Sequence, residues 1–180
     1  MVVIVVSGPP GSGKTTQAKL IAEHYGLKYY SAGAIFREIA REKGVSIEKL
    51  SLMALSDPGI DLEIDRRSYM ESLKDNVVID GHLTAWIVAE NADVKIYITA
   101  PFSTRVERIA RRDGRSYMDA LRETLVREYS QIRRFIEYYG LDPTDTSIFD
   151  IVVNTESMGI RETFEVIRGY IDKVLKSRRR

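Results

Sequence analysis

Short unbroken apolar runs alternate along this chain with longer stretches in which apolar residues recur every three to four positions. Runs of the first kind predict buried strands, and stretches of the second kind predict amphipathic helices. Residues 2–6 (Val-Val-Ile-Val-Val) open the pattern as a strand. A helix over 14–25 follows, with Ala18, Leu20, Ile21 and Ala22 turned inward, and Gly26 ends it. Residues 27–31 make a short strand, and 33–43 a helix stopped by Gly44. Ser46 caps a helix running to about Leu55. Asp57-Pro58-Gly59 turns the chain into a helix over 60–73. Strands at 77–80 and 94–99 come next, the first apolar until Asp80 and the second closed off by Pro101. Helices over 102–112 and 116–139 flank the turn Asp113-Gly114. A fifth strand at 148–154 and a helix over 160–175 complete the series.

Strands separated by helices predict a parallel sheet covered on both faces, because each crossover carries a helix over the sheet. The expected fold class is therefore α/β, a three-layer arrangement of five parallel strands with helices on both sides. No repeat, low-complexity tract or linker divides the 180 residues, so one domain over 1–180 is expected. Ligands of such sheets sit beyond the carboxyl ends of the strands. Segments 8–15, 31–37 and 80–82 fall at those ends, and the chemistry is sought there.

Bulk properties remove several function classes. With 27 basic and 26 acidic side chains the net charge is +1, which provides no general field for nucleic acid. The tail Ser177-Arg178-Arg179-Arg180 reads as a solvated terminus. The absence of cysteine excludes disulfides and thiolate metal sites. No apolar run approaches the roughly 20 residues that cross a bilayer, and residues 2–6 lack the basic leader of a signal peptide. A cytoplasmic monomer with small-molecule partners, and neither nucleic acid nor membrane, is expected.

Gly8-Pro9-Pro10-Gly11-Ser12-Gly13-Lys14-Thr15 spells G-x-x-x-x-G-K-[ST] directly after the first strand, the phosphate-binding loop of nucleoside triphosphatases. Its glycines let successive N–H groups face one concave nest, and the helix that follows adds its partial positive charge. Lys14 is expected on the β- and γ-phosphates of ATP, and the Thr15 hydroxyl on Mg²⁺. Thr16 belongs with residues 8–15 in the ATP-binding set. Asp80 ends a strand where such proteins hold the carboxylate that orients the metal; the alternative is a turn cap shared with Gly81.

Beyond the loop, Ser31-Ala32-Gly33-Ala34-Ile35-Phe36-Arg37 places a small-residue turn before a helix whose second turn carries an arginine. That combination suits a second anion, a monophosphate, unless Arg37 merely pairs with a neighbour such as Glu38. From Arg105 to Arg134 nine arginines accompany five acids. Arg108 and Arg112 are spaced to share a helix face, Arg105 lies one turn earlier, and Arg127 and Arg134 stand further along the next helix. These arginines are expected to form a mobile lid over about 108–134. Lys14, Arg108, Arg112, Arg127 and Arg134 make the catalytic set, acting by charge stabilisation with no side-chain base.

Taken together, these segments resemble the nucleoside monophosphate kinases, and more closely the compact cytidylate kinases of archaeal type. The likeness is carried by residues 7–15, Ser31-Ala32-Gly33-x-Ile35-Phe36-Arg37, Ile60-Asp61-x-x-Ile64-Asp65-Arg66-Arg67 and Leu83-Thr84-Ala85-Trp86. It continues through Arg108-Ile109-Ala110-x-Arg112-Asp113, Arg134-Phe135-x-x-x-Tyr139-Gly140-Leu141-Asp142 and Ser147-Ile148-Phe149-Asp150. The resemblance implies an adenylate-kinase-like P-loop fold, with an acceptor-binding insertion over about 31–73 and the lid. It implies transfer of the γ-phosphoryl group of MgATP to CMP and dCMP, giving ADP and the diphosphate, in pyrimidine nucleotide metabolism.

The expected acceptor set is Ser31, Gly33, Arg37, Asp61, Asp65, Gly81 and His82. His82 is a departure, since many relatives carry arginine after the Asp/Glu-Gly pair. That arginine's role passes to His82 or to another arginine, or His82 is only a turn residue. Asp61 and Asp65, four apart on one helix face, either read base or ribose or pair with Arg66 and Arg67. Trp86 reads as core, Tyr29-Tyr30 and Tyr138-Tyr139 as packing residues with polar tips outward, and His24 as surface. The alternatives are a kinase for AMP or UMP, a P-loop switch or assembly factor, and a kinase for nucleic-acid ends. A second phosphate pocket speaks against the switch, and near-neutral charge against the nucleic-acid enzyme.

Overall fold

The strand runs and helical stretches form as expected, and what remained open was how they assemble. The computed structural model describes residues 2–177; arginines 178–180 of the expected solvated tail lie outside the described residues. The strands are β1 (Val3–Ser7), β2 (Lys28–Ser31), β3 (Val77–Asp80), β4 (Val94–Thr99) and β5 (Ile151–Asn154). The helices are α1 (Lys14–Tyr25), α2 (Ala32–Glu42), α3 (Ile47–Met53), α4 (Gly59–Ser72), α5 (Thr84–Ile87), α6 (Phe102–Asp113), α7 (Tyr117–Tyr139) and α8 (Ile160–Ser177).

All strand pairs are parallel, in the order β2-β3-β1-β4-β5. The two-residue period of the strands sorts their side chains between two faces. Ile4 and Val6 pack with Ile96, Ile98, Ala18, Ile21, Ile167 and Ile171, so α1 and α8 cover one side. Val3 and Val5 turn the other way, onto Val77, Ile79, Ala85 and Val88. β1 lies at the centre: the chain runs out to β2, returns to β3 beside β1, then crosses to β4 on the opposite side. Such a reversal of winding opens a crevice at the carboxyl end of the central strand, where the loop 8–13 emerges. Val6 and Ser31 both lie level with Asp80, which brings the tips of three strands to one row.

A third apolar cluster joins α2, α3 and α4 through Phe36, Ala40, Leu50, Ala54, Ile60 and Ile64. A fourth joins α6 to α7 through Val106, Ile109 and Ala120. α7 also reaches α3, since Tyr138 donates its hydroxyl to the carbonyls of Ala54 (3.0 Å) and Leu55 (2.8 Å). The longest helix therefore spans from α6 to the α2–α4 cluster.

Four local expectations are corrected. On α1 the buried positions are Gln17, Ala18, Ile21 and Ala22, while Leu20 is half-buried. Gln17 goes inward because its Nε2 donates to the Ile160 carbonyl (2.9 Å) at the start of α8. β5 begins at Ile151 because Ile148 and Phe149 fold onto the Val3/Val5 face. There Phe149 meets Trp86 edge-on at 5.2 Å, so Trp86 is core. Residues 84–87 form one helical turn, α5, too short for a periodic signal. Finally, the hydroxyls of Tyr29, Tyr138 and Tyr139 turn inward rather than outward. His24 is exposed, resting edge-on against Phe164.

Candidate active site

Glycine at positions 8 and 11 answers a steric demand. Gly8 has φ +146° and a Cβ there would lie 2.0 Å from the Ile98 carbonyl oxygen. Gly11 has φ +77° and a Cβ would meet the Arg105 carbonyl oxygen at 2.5 Å. Both contacts are to backbone, so no larger residue fits without moving the loop. The loop thus lies tight against β4 and α6, and the chain enters α1 at Lys14.

Pro10, Lys14 and Thr15 line a cleft at the strand tips together with Ser31, Gly33, Phe36, Arg37, Asp61, Asp65, Asp80, Gly81, His82, Arg127, Gln131 and Arg134. Among the expected donor residues Thr16 is exposed on α1, and the Pro9 carbonyl accepts from the Ser12 amide (3.3 Å). Burial pushes the Lys14 ammonium down to about 8; Asp80 opposes this, and Arg127, Arg37 and Arg112 add to it. Asp80 is 1% exposed. Its Oδ2 accepts from the hydroxyls of Thr15 (2.6 Å), Tyr29 (2.9 Å) and Ser31 (3.4 Å). Its Oδ1 is buried with no hydrogen-bond partner. An orphaned carboxylate oxygen beside a threonine hydroxyl is a hard oxygen donor set, which suits Mg²⁺ with water and phosphate oxygens completing its shell.

On the acceptor side the Ser31 hydroxyl caps α2 by accepting from the Ala34 amide (3.2 Å). A Cβ at Gly33 would touch Arg37 Nη1 at 3.5 Å, so the guanidinium curls back toward the start of its own helix. Across the cleft, burial pushes Arg127 down to about 10, with Arg37 and Arg112 adding to the effect and Glu123 and Glu128 opposing it, and its Nε is buried without a partner. Among the described residues neither Arg37 nor Arg127 has an ion pair. The cleft therefore brings Lys14, Arg37 and Arg127 within electrostatic reach of one another, with Asp80 the one carboxylate that raises the Lys14 pKa.

The far end of the cleft has the opposite character. Arg134, 1% exposed, pairs with Asp61 at 3.0 Å and lies over the Phe36 ring at 6.0 Å. Tyr139 donates its hydroxyl to Asp65. Burial pushes Asp65 up to about 6 and Asp61 adds to the rise, against the Tyr139 hydrogen bond and the Arg134 charge. The alternative of local pairing with Arg66 and Arg67 is overturned, because both arginines pair with Glu63 (3.2 and 2.7 Å). His82 Nδ1 lies 3.1 Å from Gln131 Oε1 and its ring meets Phe135 edge-on. Burial pushes its imidazole down to about 3, helped by Lys14, Arg127 and Arg105. It is an uncharged ring and no electrostatic substitute for arginine.

The expected lid arginines divide. Arg127 and Arg134 line the cleft; Arg108 and Arg112 do not. Arg108 donates to the Thr155 hydroxyl (2.7 Å) and carbonyl (2.8 Å), and Arg112 pairs with Asp113 (2.7 Å). Arg134 is buried in place with Asp61, so the structure holds it at the cleft without a swing. Sequence reasoning missed Tyr29 and Gln131, whose partners stand 51 and 49 residues away. It also left Arg105 without a role, although this side chain is 7% exposed.

Comparison with known proteins places the chain in a family and a fold. A family model described as an AAA domain matches residues 7–126. The cytidylate kinase of Staphylothermus marinus is 60% identical over 176 residues, covering 98% of this chain and 99% of that protein. The cytidylate kinase of Desulfurococcus amylolyticus is 61% identical over 180 residues, covering 99% and 97%. Among solved structures, an uncharacterized protein from Eubacterium ventriosum aligns with TM-score 0.69 at 21% identity, covering 96% of this chain and 99% of that one. Shikimate kinase from Bacteroides thetaiotaomicron aligns with TM-score 0.61 at 13% identity, over 95% and 98%. At such identities the structures speak for the fold alone.

The raised Asp65 carboxyl has a consequence for stability. Between the ordinary value of 3.8 and about 6 the folded protein holds more protons here than the unfolded chain, so this group's contribution falls as pH rises through that window. Asp65→Asn should remove the dependence. Denaturant unfolding at pH 4.5 and pH 7 should show the variant gaining on the parent protein at the higher pH, by up to about 2 kcal/mol. An equal difference at both pH values would assign Asp65 an ordinary carboxyl.

Proposed function

The chain belongs to the cytidylate kinases, and we propose from that premise that its cleft transfers the γ-phosphoryl group of ATP to CMP and dCMP, giving ADP and the cytidine diphosphate. One observation carries the reading: Lys14, Arg37 and Arg127 converge on a cleft in which, among the described residues, neither Arg37 nor Arg127 has an ion pair, Glu123 and Glu128 acting on Arg127 only at longer range. Lys14 and Arg127 are partly withdrawn from water and Arg37 is exposed beside them, so the three repel one another, and the arrangement makes sense when substrates bring the balancing charge. Donor and acceptor together carry about six negative charges near neutral pH.

Roles follow from position. The loop amides and Lys14 hold the donor phosphates. Arg37 and the capped start of α2 take the acceptor phosphate. Arg127 stands opposite, where charge grows on the migrating group. Thr15 and Asp80 would hold Mg²⁺, which when bound would offset the charge of the donor phosphates. The nucleophile is a phosphate oxygen of the acceptor, already ionised, so no side chain needs to remove a proton. Segment 31–73 serves as the acceptor-binding part and 108–134 as the cover, whose helix α7 excludes water from the transfer.

At the other end, cytosine offers an amino donor beside ring acceptors. Carboxylate acceptors on Asp61 and Asp65 beside the Arg134 donor match that order. Uracil would set a carbonyl oxygen against the carboxylates. Among the described residues no helix is long and apolar enough to cross a membrane; we place the reaction in the cytoplasm, carried out by a monomer.

An ADP-release assay across CMP, dCMP, UMP and AMP tests the assignment. CMP and dCMP should turn over fastest, and turnover of AMP without CMP would refute it. Lys14→Ala should lower kcat about 100- to 1,000-fold, as losing one donor to developing charge costs about 3–4 kcal/mol. Arg37→Ala should raise the KM for CMP about 10- to 100-fold, the worth of a charged hydrogen bond, with the KM for ATP within about twofold. The reverse pattern would move the acceptor phosphate elsewhere.

A further inference from the structure

A loop whose amides converge on a ligand must send carbonyls outward, and those oxygens need donors. Two outward carbonyls of the phosphate loop, those of Pro10 and Ser12, face α6. Arg105 Nη1 donates to Pro10 O at 3.0 Å, and Arg108 Nη1 approaches Ser12 O at 3.5 Å. Thr155, itself held by Arg108, donates its hydroxyl to Ser12 O at 2.9 Å. Arg105 does more. Its Nε donates to the Ala100 carbonyl (3.0 Å) at the end of β4, and its guanidinium forms an ion pair with Glu128 of α7. The side chain lies over the Phe102 ring at 5.3 Å and is 7% exposed. Every direction of its fork is used, and three segments meet on it.

Glu128 follows Arg127 directly and precedes Gln131 by one helical turn, on a helix whose other contacts reach the acceptor cluster. We propose that Arg105 and Glu128 are positioning residues that tie the phosphate loop to α7, so that Arg127 is delivered over the donor phosphates only while the loop is correctly formed. Neither residue touches substrate. Arg105 fixes the loop's Pro10 carbonyl, and its bond to Glu128 fixes the rotation and height of α7 at the point where Arg127 leaves the helix. The inference rests on the role given to Arg127 above.

A kinetic double-mutant cycle tests it, using Glu128→Gln, Arg127→Ala and the pair, with Tm measured for each. Glu128→Gln keeps the size and an acceptor oxygen but removes the charge. It should lower kcat about tenfold with the KM for CMP within about twofold. In the Arg127→Ala background the same change should cost less than about twofold, because there is then no arginine left to aim. Arg105→Lys keeps a charge that reaches one partner instead of three, and should behave like Glu128→Gln with a Tm near that of the parent protein. Multiplying effects in the double variant would overturn the coupling, as would full activity of Arg105→Lys. An Arg127→Ala protein of unchanged kcat would defeat both the coupling and the role of Arg127 in transfer. A slow Arg127→Ala with multiplying effects would defeat the coupling alone.

Discussion

Holding several cations close together, partly out of water and short of anions, is the constraint around which this molecule is arranged. Burial makes the Lys14 ammonium costlier to hold, and Arg127 and Arg37 add to the cost by repulsion. Like charges in such a place push apart, so the elements that carry them must be anchored by other means. Lys14 is anchored by the start of α1 under β1. Arg37 is anchored by a serine-capped helix whose inner face carries Ala32, Phe36 and Ala40. Arg127 is anchored by α7, which is fastened before it by Ala120 against Val106 and Ile109 of α6, and after it to Arg105 by Glu128 and to the end of α3 by Tyr138. Stability is given up at the strand tips and recovered in the four apolar clusters, a trade expected wherever a site must be ready for charge it does not itself contain.

Phosphate-loop geometry was legible in the sequence because it is local. Strand, glycines, lysine and helix start follow one another within fifteen residues, and the periodicity change from two to three-to-four marks where they join. Asp80 was legible for a similar reason, as the first polar residue after an apolar run. Its environment was not. The Tyr29 hydroxyl that helps hold Asp80 comes from the neighbouring strand, and only the pairing of Tyr30 with Ile79 and of Ser31 with Asp80 brings it close. The arginine segment shows the same limit. Charge counting marked the group but could not say which members face the cleft. On α6 the burial of Val106 and Ile109 sets the rotation of the helix, and that rotation turns Arg105 and Arg108 to the loop while Arg112 stays with Asp113.

His82 shows how a single position can differ from its expected chemistry without breaking the site. An arginine there would add another permanent charge beside Lys14, Arg127 and Arg105. The imidazole instead stays neutral and meets Gln131, which joins α7 to the tip of β3. Arg127 supplies from α7 a charge that does not have to come from β3. A neutral bridge between sheet and helix costs less than another cation, and it leaves the spacing of the strand tip to α7 set by a hydrogen bond and an aromatic edge.

The cleft is polar along its length, and under the proposed roles that polarity would decide which way a nucleotide lies in it. At the loop end the charges are cationic, with one carboxylate engaged by hydroxyls. At the α4 end two carboxylates meet one guanidinium, and burial already holds both of them above the ordinary carboxylate range. A monophosphate turned end for end would bring its dianion against Asp61 and Asp65, and would leave a base carrying no charge beside Arg37 and Arg127. Both contacts are unfavourable, and in a partly desolvated cleft each is stronger than at an open surface. Orientation therefore needs no mechanical gate. It follows from placing the cations on the elements that start or roof the strand tips, and the carboxylates one helix further out.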